Sequence, residues 1–315
     1  MPLLVAIRGW TPDAWIERLR RHAPDLDVLD ARLPFDPAEV THAAVWKPEP
    51  GLLARLPNLR AIFNLGAGVD ALLADPTLPE VPIARIVDPD LTARMTEWVT
   101  MNVLMHHRQV AARAEDQRRA VWGSRPQPAA KDVTVGVMGL GVLGRDAIEV
   151  LARLGFRLTG WSRSPREIDG VECFAGEFGL GPFLERTDIL VVLLPLTPDT
   201  RGILGRDLFA RWRRENHMGG PVLINAGRGG LQVEADILEA LEAGTLAAAS
   251  LDVFETEPLP ATSALWTHPR VIITPHCAAD SDAEALARVI VEGVRREIAG
   301  EGLAPEVLVD RRAGY

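Results

Sequence analysis

The chain has 315 residues, enough for two ordinary domains, and its 47% hydrophobic and 24% charged residues are the balance of a water-soluble globular protein. A formal net charge of −9 argues against a nucleic acid or an anionic membrane surface as the main partner. Only two cysteines, Cys173 and Cys277, are present, which excludes a disulfide framework or a cysteine metal cluster, and no apolar run reaches membrane-spanning length.

Leu3 to Ile7 reads as a short apolar strand, and Pro12 to Arg21 as a helix with Thr11 as its N-cap. Asp27 to Leu29, Ala43 to Trp46 and Ala61 to Asn64 read as further strands, with a helix over Pro50 to Leu56. This alternation predicts a small parallel sheet covered by helices. The stretch NLGAGVD, residues 64–70, sets two glycines around Ala67 between a buried strand and a helix over Asp70 to Ala74. Successive backbone N–H groups in such a turn form a nest for an anion such as a carboxylate, and an ordinary glycine-rich turn has the same composition.

Thr92 to Ala114 predicts one long helix, apolar at Met95, Val99, Val103 and Leu104, bridging two domains. His106 and His107 on it have no acidic or cysteine neighbour and read as polar-face residues. Trp122 with Pro126 and Pro128 marks a loop or arm.

The stretch DVTVGVMGLGVLG, residues 132–144, carries the strongest local signal. An apolar strand ending at Met138 runs into Gly139, Gly141 and Gly144, a G-x-G-x-x-G spacing, and a helix follows from Arg145 to Leu154. The three glycines serve a tight turn, close backbone approach to a pyrophosphate, and close helix–strand packing, so the stretch predicts dinucleotide binding. The next strand, Arg157 to Trp161, ends in WSRS. An acidic residue at that place would bond a ribose 2′-OH; Ser162, Arg163 and Ser164 stand there instead, and Arg163 can pair with a 2′-phosphate. The expected cofactor is therefore NADP(H), with NAD(H) as the other possibility; a plain surface arginine is the rival reading of Arg163.

Strands then recur at Ile189 to Leu194, stopped by Pro195, and at Val222 to Asn225, Ala247 to Val253 and Val271 to Thr274. In open α/β sheets the ligand crevice lies off the carboxyl ends of the strands. Arg228, Asp252, Glu257 and His276 all fall at or just after such ends. The last helix, Asp282 to Ile298, has Leu286, Val289, Ile290 and Val294 as its apolar stripe and is expected to pack on the first domain. Trp46, Trp98 and Trp266 read as core or dimer contacts, and Cys277 as a buried, inert thiol.

These motifs carry a resemblance. GAGVD at 66–70, GLGVLG at 139–144, LPLTPDT at 194–200 and NAGRG at 225–229 are joined by LDVFETEPLP at 251–260, LWTHPRVIITPHCAA at 265–279 and a final VDRRAGY. Together they resemble the D-isomer-specific 2-hydroxyacid dehydrogenases over essentially the whole length, and within them the branch that reduces glyoxylate and hydroxypyruvate. The resemblance implies an α/β fold of two Rossmann/flavodoxin-like, doubly wound parallel-sheet domains with the active site in the cleft between them. The substrate domain would be discontinuous, 1–96 and 282–315, around a dinucleotide-binding domain at 97–281. It also implies a homodimer formed mainly through the nucleotide domains, a small 2-keto or 2-hydroxy acid as substrate, no nucleic acid or membrane partner, and no metal.

By the same resemblance Arg228 is the substrate arginine, Glu257 the catalytic glutamate and His276 the acid/base histidine. The chemistry fits: a histidine is the natural proton donor near neutral pH, a carboxylate beside it favours the imidazolium and orients the ring, and a guanidinium can fork onto a substrate carboxylate and carbonyl. Backbone N–H groups of Ala67, Gly68 and Val69 would hold the rest of the carboxylate, with Trp46 as a pocket wall. The cofactor would be held by Gly139, Gly141, Val142, Leu143 and Gly144, by Ser162, Arg163 and Ser164, and by Leu194 and Pro195. Ala226 and Gly227 would complete its site, with Asp252 at the nicotinamide carboxamide. Other readings stay open on the same fold: a D-3-phosphoglycerate or D-lactate type of dehydrogenase, or a non-catalytic dinucleotide sensor. Too short an N-terminal apolar stretch for a signal peptide makes the cytoplasm the expected location.

Overall fold

The computed structural model describes residues 2–216, 218–279 and 282–314. By their contacts the residues form two compact units, Met1–Leu91 with Ser281–Tyr315, and Thr92–Asp280.

The smaller unit is built on a five-stranded parallel sheet of β1 (Pro2–Ile7), β2 (Asp27–Asp30), β3 (His42–Trp46), β4 (Ala61–Asn64) and β5 (Ile83–Ala84), in the order β2-β1-β3-β4-β5. Leu4, Ala6, Ala43, Val45 and Ile62 of its central strands are buried with Leu52, Leu53, Leu56 and Leu72. Two elements depart from expectation. Helix α1 (Asp13–His22) starts one residue late, with Pro12 at the N-cap; Thr11 lies outside it and accepts from the Asp13 N–H at 3.4 Å. The helix expected over Pro50 to Leu56 is a single 3₁₀ turn, Leu53–Arg55, because Gly51 takes a left-handed φ of +79°. A second short helix, α2 (Asp70–Leu73), follows the glycine turn after β4.

The unit boundary falls in the first turn of α3 (Pro89–His107), which is followed by α4 (Val110–Arg118). The single helix expected over Thr92 to Ala114 is thus two, because Gln109 adopts a left-handed conformation (φ 56°, ψ 38°). Nor are the two histidines solvent-facing. His107 is buried edge-on against Phe156, ring centroids 5.0 Å apart, and His106 Nε2 lies 2.8 Å from Ser250 Oγ.

The larger unit continues with β6 (Thr134–Met138), α5 (Val142–Arg153), β7 (Arg157–Ser162), β8 (Glu172–Ala175), α6 (Gly176–Arg186), β9 (Ile189–Val192), α7 (Arg206–Arg211), β10 (Val222–Asn225), α8 (Glu234–Glu242), β11 (Ala248–Leu251) and β12 (Val271–Ile273). Its seven strands are all parallel in the order β12-β11-β10-β9-β6-β7-β8. The sheet is covered on both faces, which is why its central strands are continuous apolar runs rather than alternations. Ile189 and Val191 pack with Val99, Val103, Ile148 and Leu151 from α3 and α5, whereas Leu190 and Val192 pack with Phe183, Leu208 and Ile237 from the other side.

The chain's last helix, α9 (Ala283–Ala299), packs on α1 and β4 of the smaller unit. Leu286, Ile290 and Val294 are buried as expected. Val289 is 45% exposed, and Ala287 and Val291 complete the stripe in its place.

Two histidines make stability sensitive to acid. His42 is fully buried in β3 and His106 partly so; burial pushes each ring down to about 4, with the Arg60 cation adding to the effect at His42. The unfolded chain titrates near 6.5 and so takes up these protons first as pH falls. The neutral rings therefore contribute fully above about pH 6.5, and the contribution is lost as pH drops toward 4, on the order of 3 kcal/mol per ring. The urea midpoint should decline from pH 6.5 to 4.5, and less steeply in a His106→Gln variant; a flat parental midpoint across that window would refute this.

Candidate active site

Strand β6 sits where the strand order reverses, between β9 and β7, and the chain leaves it through Gly139 at φ +105°. A Cβ there would lie 2.6 Å from the Leu193 carbonyl oxygen. The helix begins at Val142, three residues before the expected Arg145, with Gly141 as its extended N-cap. It can start inside the motif because Gly144 lets its first turn rest on the strand: a Cβ on Gly144 would be 1.9 Å from the Gly139 oxygen. Gly141 differs, since a Cβ on it would meet no atom within 4 Å. Its bareness serves no packing purpose; it leaves the α5 N-terminus open to close approach. Unpaired N–H groups and the positive dipole end there suit a phosphate, so the turn fits a dinucleotide. Val142, half exposed, and Leu143 form that first turn.

The neighbouring loops are ordered around this end of the sheet. Beyond β7, Ser162 Oγ donates to the Ser164 carbonyl at 2.8 Å, and Arg163 is exposed. After β9, Leu194 is buried and the Pro195 carbonyl accepts from Thr200 Oγ1 at 2.8 Å. After β10, Asn225 is fully buried; its Oδ1 accepts from the Gly227 N–H at 3.0 Å and its Nδ2 donates to Gln232 Oε1 at 2.8 Å. Gln232 in turn donates to the Val253 carbonyl at 2.9 Å, tying the loop after β10 to the one after β11. Ala226 is buried as well.

Arg228 emerges from this loop between Gly227 and Gly229, neither of which has room for a side chain: Cβ atoms there would lie 2.7 Å from Leu231 and 1.8 Å from the Phe254 oxygen. Its guanidinium donates to the Gly227 carbonyl at 2.7 Å. His276 follows β12, two strands from β10, or about 10 Å along the rim at ordinary strand spacing. Its Nδ1 is 2.8 Å from Glu257 Oε2, and Glu257 Oε1 accepts from the Phe254 N–H at 3.1 Å. With Nδ1 on a carboxylate, Nε2 is the nitrogen left to exchange a proton. The carboxylate is half-buried and the imidazole 41% exposed, so a substrate can reach the ring. Cys277 is exposed, contrary to expectation, because the loop after β12 turns it away from the core; Trp266 is also half exposed, whereas Trp98 is buried.

In the smaller unit, Asn64 is buried at the end of β4, and its Nδ2 donates to the carbonyls of Gly66 (2.8 Å) and Gly68 (3.0 Å). With those carbonyls held, the N–H groups of Ala67, Gly68 and Val69 donate to no backbone or side-chain acceptor among the described residues. The Trp46 indole lies against Gly66, where a Cβ would fall 2.1 Å from it, and the Trp10 ring packs on Trp46 at 5.1 Å between centroids, tilted by 35°. Among the described residues no group of three or more His, Cys, Asp or Glu could hold a metal. Sequence reasoning missed the supporting roles of Asn225, Gln232, Trp98 and Thr274; the signal at the first three is polar character at buried positions, which is visible only once the core is known.

Residues 100–278 match the family model described as D-isomer specific 2-hydroxyacid dehydrogenase, NAD binding domain. The chain is 39% identical over 310 residues to a glyoxylate/hydroxypyruvate reductase A of Serratia proteamaculans, covering 96% of each. Among solved structures it resembles an NADPH-dependent glyoxylate/hydroxypyruvate reductase of Sinorhizobium meliloti in complex with NADP and sulfate (48% identity, TM-score 0.93, 100% of this chain and 99% of that one). A probable 2-hydroxyacid dehydrogenase of Rhizobium etli, in complex with NADP, HEPES and L(+)-tartaric acid, is 45% identical with a TM-score of 0.94 and the same coverage.

Proposed function

The chain belongs to the D-isomer-specific 2-hydroxyacid dehydrogenases, and on that premise we propose that it reduces small 2-keto acids, glyoxylate to glycolate and hydroxypyruvate to D-glycerate, with NADPH preferred. The observation that carries this reading is the His276–Glu257 pair at 2.8 Å, on the same rim of the sheet as Arg228 and the glycine turn. When bound, the reduced cofactor would supply the hydride that the substrate's carbonyl carbon accepts. Arg228 forks onto the substrate carboxylate and carbonyl oxygen, orienting the substrate and offsetting the negative charge that develops on that oxygen. His276 donates the proton from Nε2, and Glu257 holds the ring in orientation through Nδ1. Ala67, Gly68 and Val69 are assigned to the substrate carboxylate and Trp46 to the pocket wall. Ser162, Arg163 and Ser164 are assigned to the cofactor's 2′-phosphate, supported by the lack of an acid over residues 161–164, where β7 ends.

A homodimer in the cytoplasm belongs to the same proposal. Exposed apolar side chains at Met101, Val110, Val121 and Trp122 support the first part, and the lack, among the described residues, of any helix long and apolar enough to cross a membrane is consistent with the second.

Initial rates on a panel of 2-keto acids with each reduced cofactor test the reading. NADPH should exceed NADH in kcat/KM on glyoxylate by about tenfold or more, the worth of one charge-assisted contact. Arg163→Gln should remove most of that margin while leaving the NADH rate in place. No turnover on any acid would overturn the reductase, and NADH equal to NADPH would overturn the cofactor preference.

A further inference from the structure

The backbone that carries His276 is held in an unfavourable conformation by a set of hydrogen bonds, most of which lead to Asp252. His276 has φ +55°, a left-handed conformation that is unfavourable for a residue with a side chain. Its N–H donates to the carbonyls of Asp252 (2.8 Å) and Thr274 (3.0 Å). The Asp252 carboxylate, 2% exposed, takes the next two amides: Cys277 N–H on Oδ1 and Ala278 N–H on Oδ2, each at 3.0 Å. Oδ1 also accepts from the Thr274 hydroxyl at 2.5 Å. That hydroxyl has one proton, already given to Asp252, so its lone pair takes the Trp98 Nε1–H, 3.2 Å away on α3.

The direction of every bond is therefore fixed: the indole donates to the hydroxyl, the hydroxyl donates to the carboxylate, and the two amides that follow His276 donate to that same carboxylate. Helix α3 is anchored a second time nearby, where His106 meets Ser250, two residues ahead of Asp252. We propose that Trp98 and Thr274 are positioning residues for proton transfer: through Asp252 they fix the loop that aims His276 Nε2, although neither touches the ring. A carboxylate buried and engaged in this way holds its loop, whatever else it meets at the nicotinamide. This deepens the reductase reading and rests on it.

Thr274→Val keeps the side chain's shape and removes the hydroxyl, leaving the Trp98 donor unmet and Asp252 one donor short. Thr274→Ser keeps the hydroxyl. A displacement of even about 1 Å at a reacting group can cost roughly a hundredfold, so Thr274→Val is expected to lower kcat by about 10- to 100-fold. KM for glyoxylate should stay within about twofold, because the relay does not touch the groups assigned to the substrate carboxylate. Thr274→Ser should restore kcat, and Trp98→Phe should give a smaller fall. A second readout needs no turnover: the ring NMR signals of His276, assigned by their loss in His276→Asn, should move in Thr274→Val and not in Thr274→Ser. Unchanged kcat in Thr274→Val, equal losses in Thr274→Val and Thr274→Ser, or unmoved ring signals would each overturn the relay. A parent that turned over no keto acid would sink the reductase reading instead, and the ring signals would still decide the relay.

Discussion

His276→Asn is expected to lower kcat for glyoxylate by about 10²- to 10⁴-fold, the usual worth of a positioned general acid, while NADPH binds as before. Asparagine is the better probe than alanine because it tolerates the left-handed backbone at this position (φ +55°). The loop held by Asp252 then keeps its path, and the loss can be assigned to the missing imidazole. The glycine turn lies on β6 and α5, away from this loop in the strand order, so cofactor affinity should be untouched. Stopped-flow turnover with a fluorescence titration of NADPH checks both halves; normal turnover would remove His276 as proton donor. The pairing with Glu257 sharpens the expectation. Glu257→Gln keeps a hydrogen bond to Nδ1 but withdraws the negative charge, so it should lower kcat by a smaller factor than removal of the ring.

The second large effect separates two glycines of one motif. Gly144→Ala would drive a Cβ to 1.9 Å from a backbone oxygen, which cannot yield as a flexible side chain would. The first turn of α5 must move off β6, so stability should fall by about 1–3 kcal/mol, and the N–H groups meant for the pyrophosphate move with it. Gly141→Ala meets no protein atom and its φ of −81° suits alanine. It should keep parental stability and still lose NADPH affinity, by about tenfold or more, because the methyl group stands where the phosphate backbone must approach. Urea titration and NADPH binding on the two variants check the split. A Gly141→Ala protein that bound NADPH as tightly as the parent would remove the phosphate from this turn.

Those two residues also show what could be read from the sequence. The glycine spacing, the strand before it and the arginine, glutamate and histidine after later strands were all legible, because a strand end followed by a polar residue is a local pattern. The helix start at Val142 was less so, since glycines normally argue against a helix interior and only the contact with Gly139 explains Gly144. Strand β8 and helix α6 left no readable signal: Gly176, Gly179, Gly181 and Pro182 mask a helix that packing on Phe174 and Arg211 sustains. The break at Gln109 has no turn residue to announce it. Trp98 and Thr274 are 176 residues apart, and no window on the chain can pair them. Exposure was misjudged at Val289 and Cys277 for a related reason, as an apolar residue beside a buried face is not always on it.

The return of α9 to the first unit governs how the protein can be made. Trp15, Ile16 and Leu19 of α1 are buried, and α1 packs against α9; Phe63 of β4 rests on Gly293 of that same helix. Those partners leave the ribosome roughly 200 residues after the first unit's N-terminal segment, a delay of about 10 to 40 s at ordinary elongation rates. Throughout that interval the nascent N-terminal segment carries a half-built core, whereas the larger unit emerges uninterrupted. Chaperone dependence during synthesis should therefore be concentrated in the first ninety or so residues.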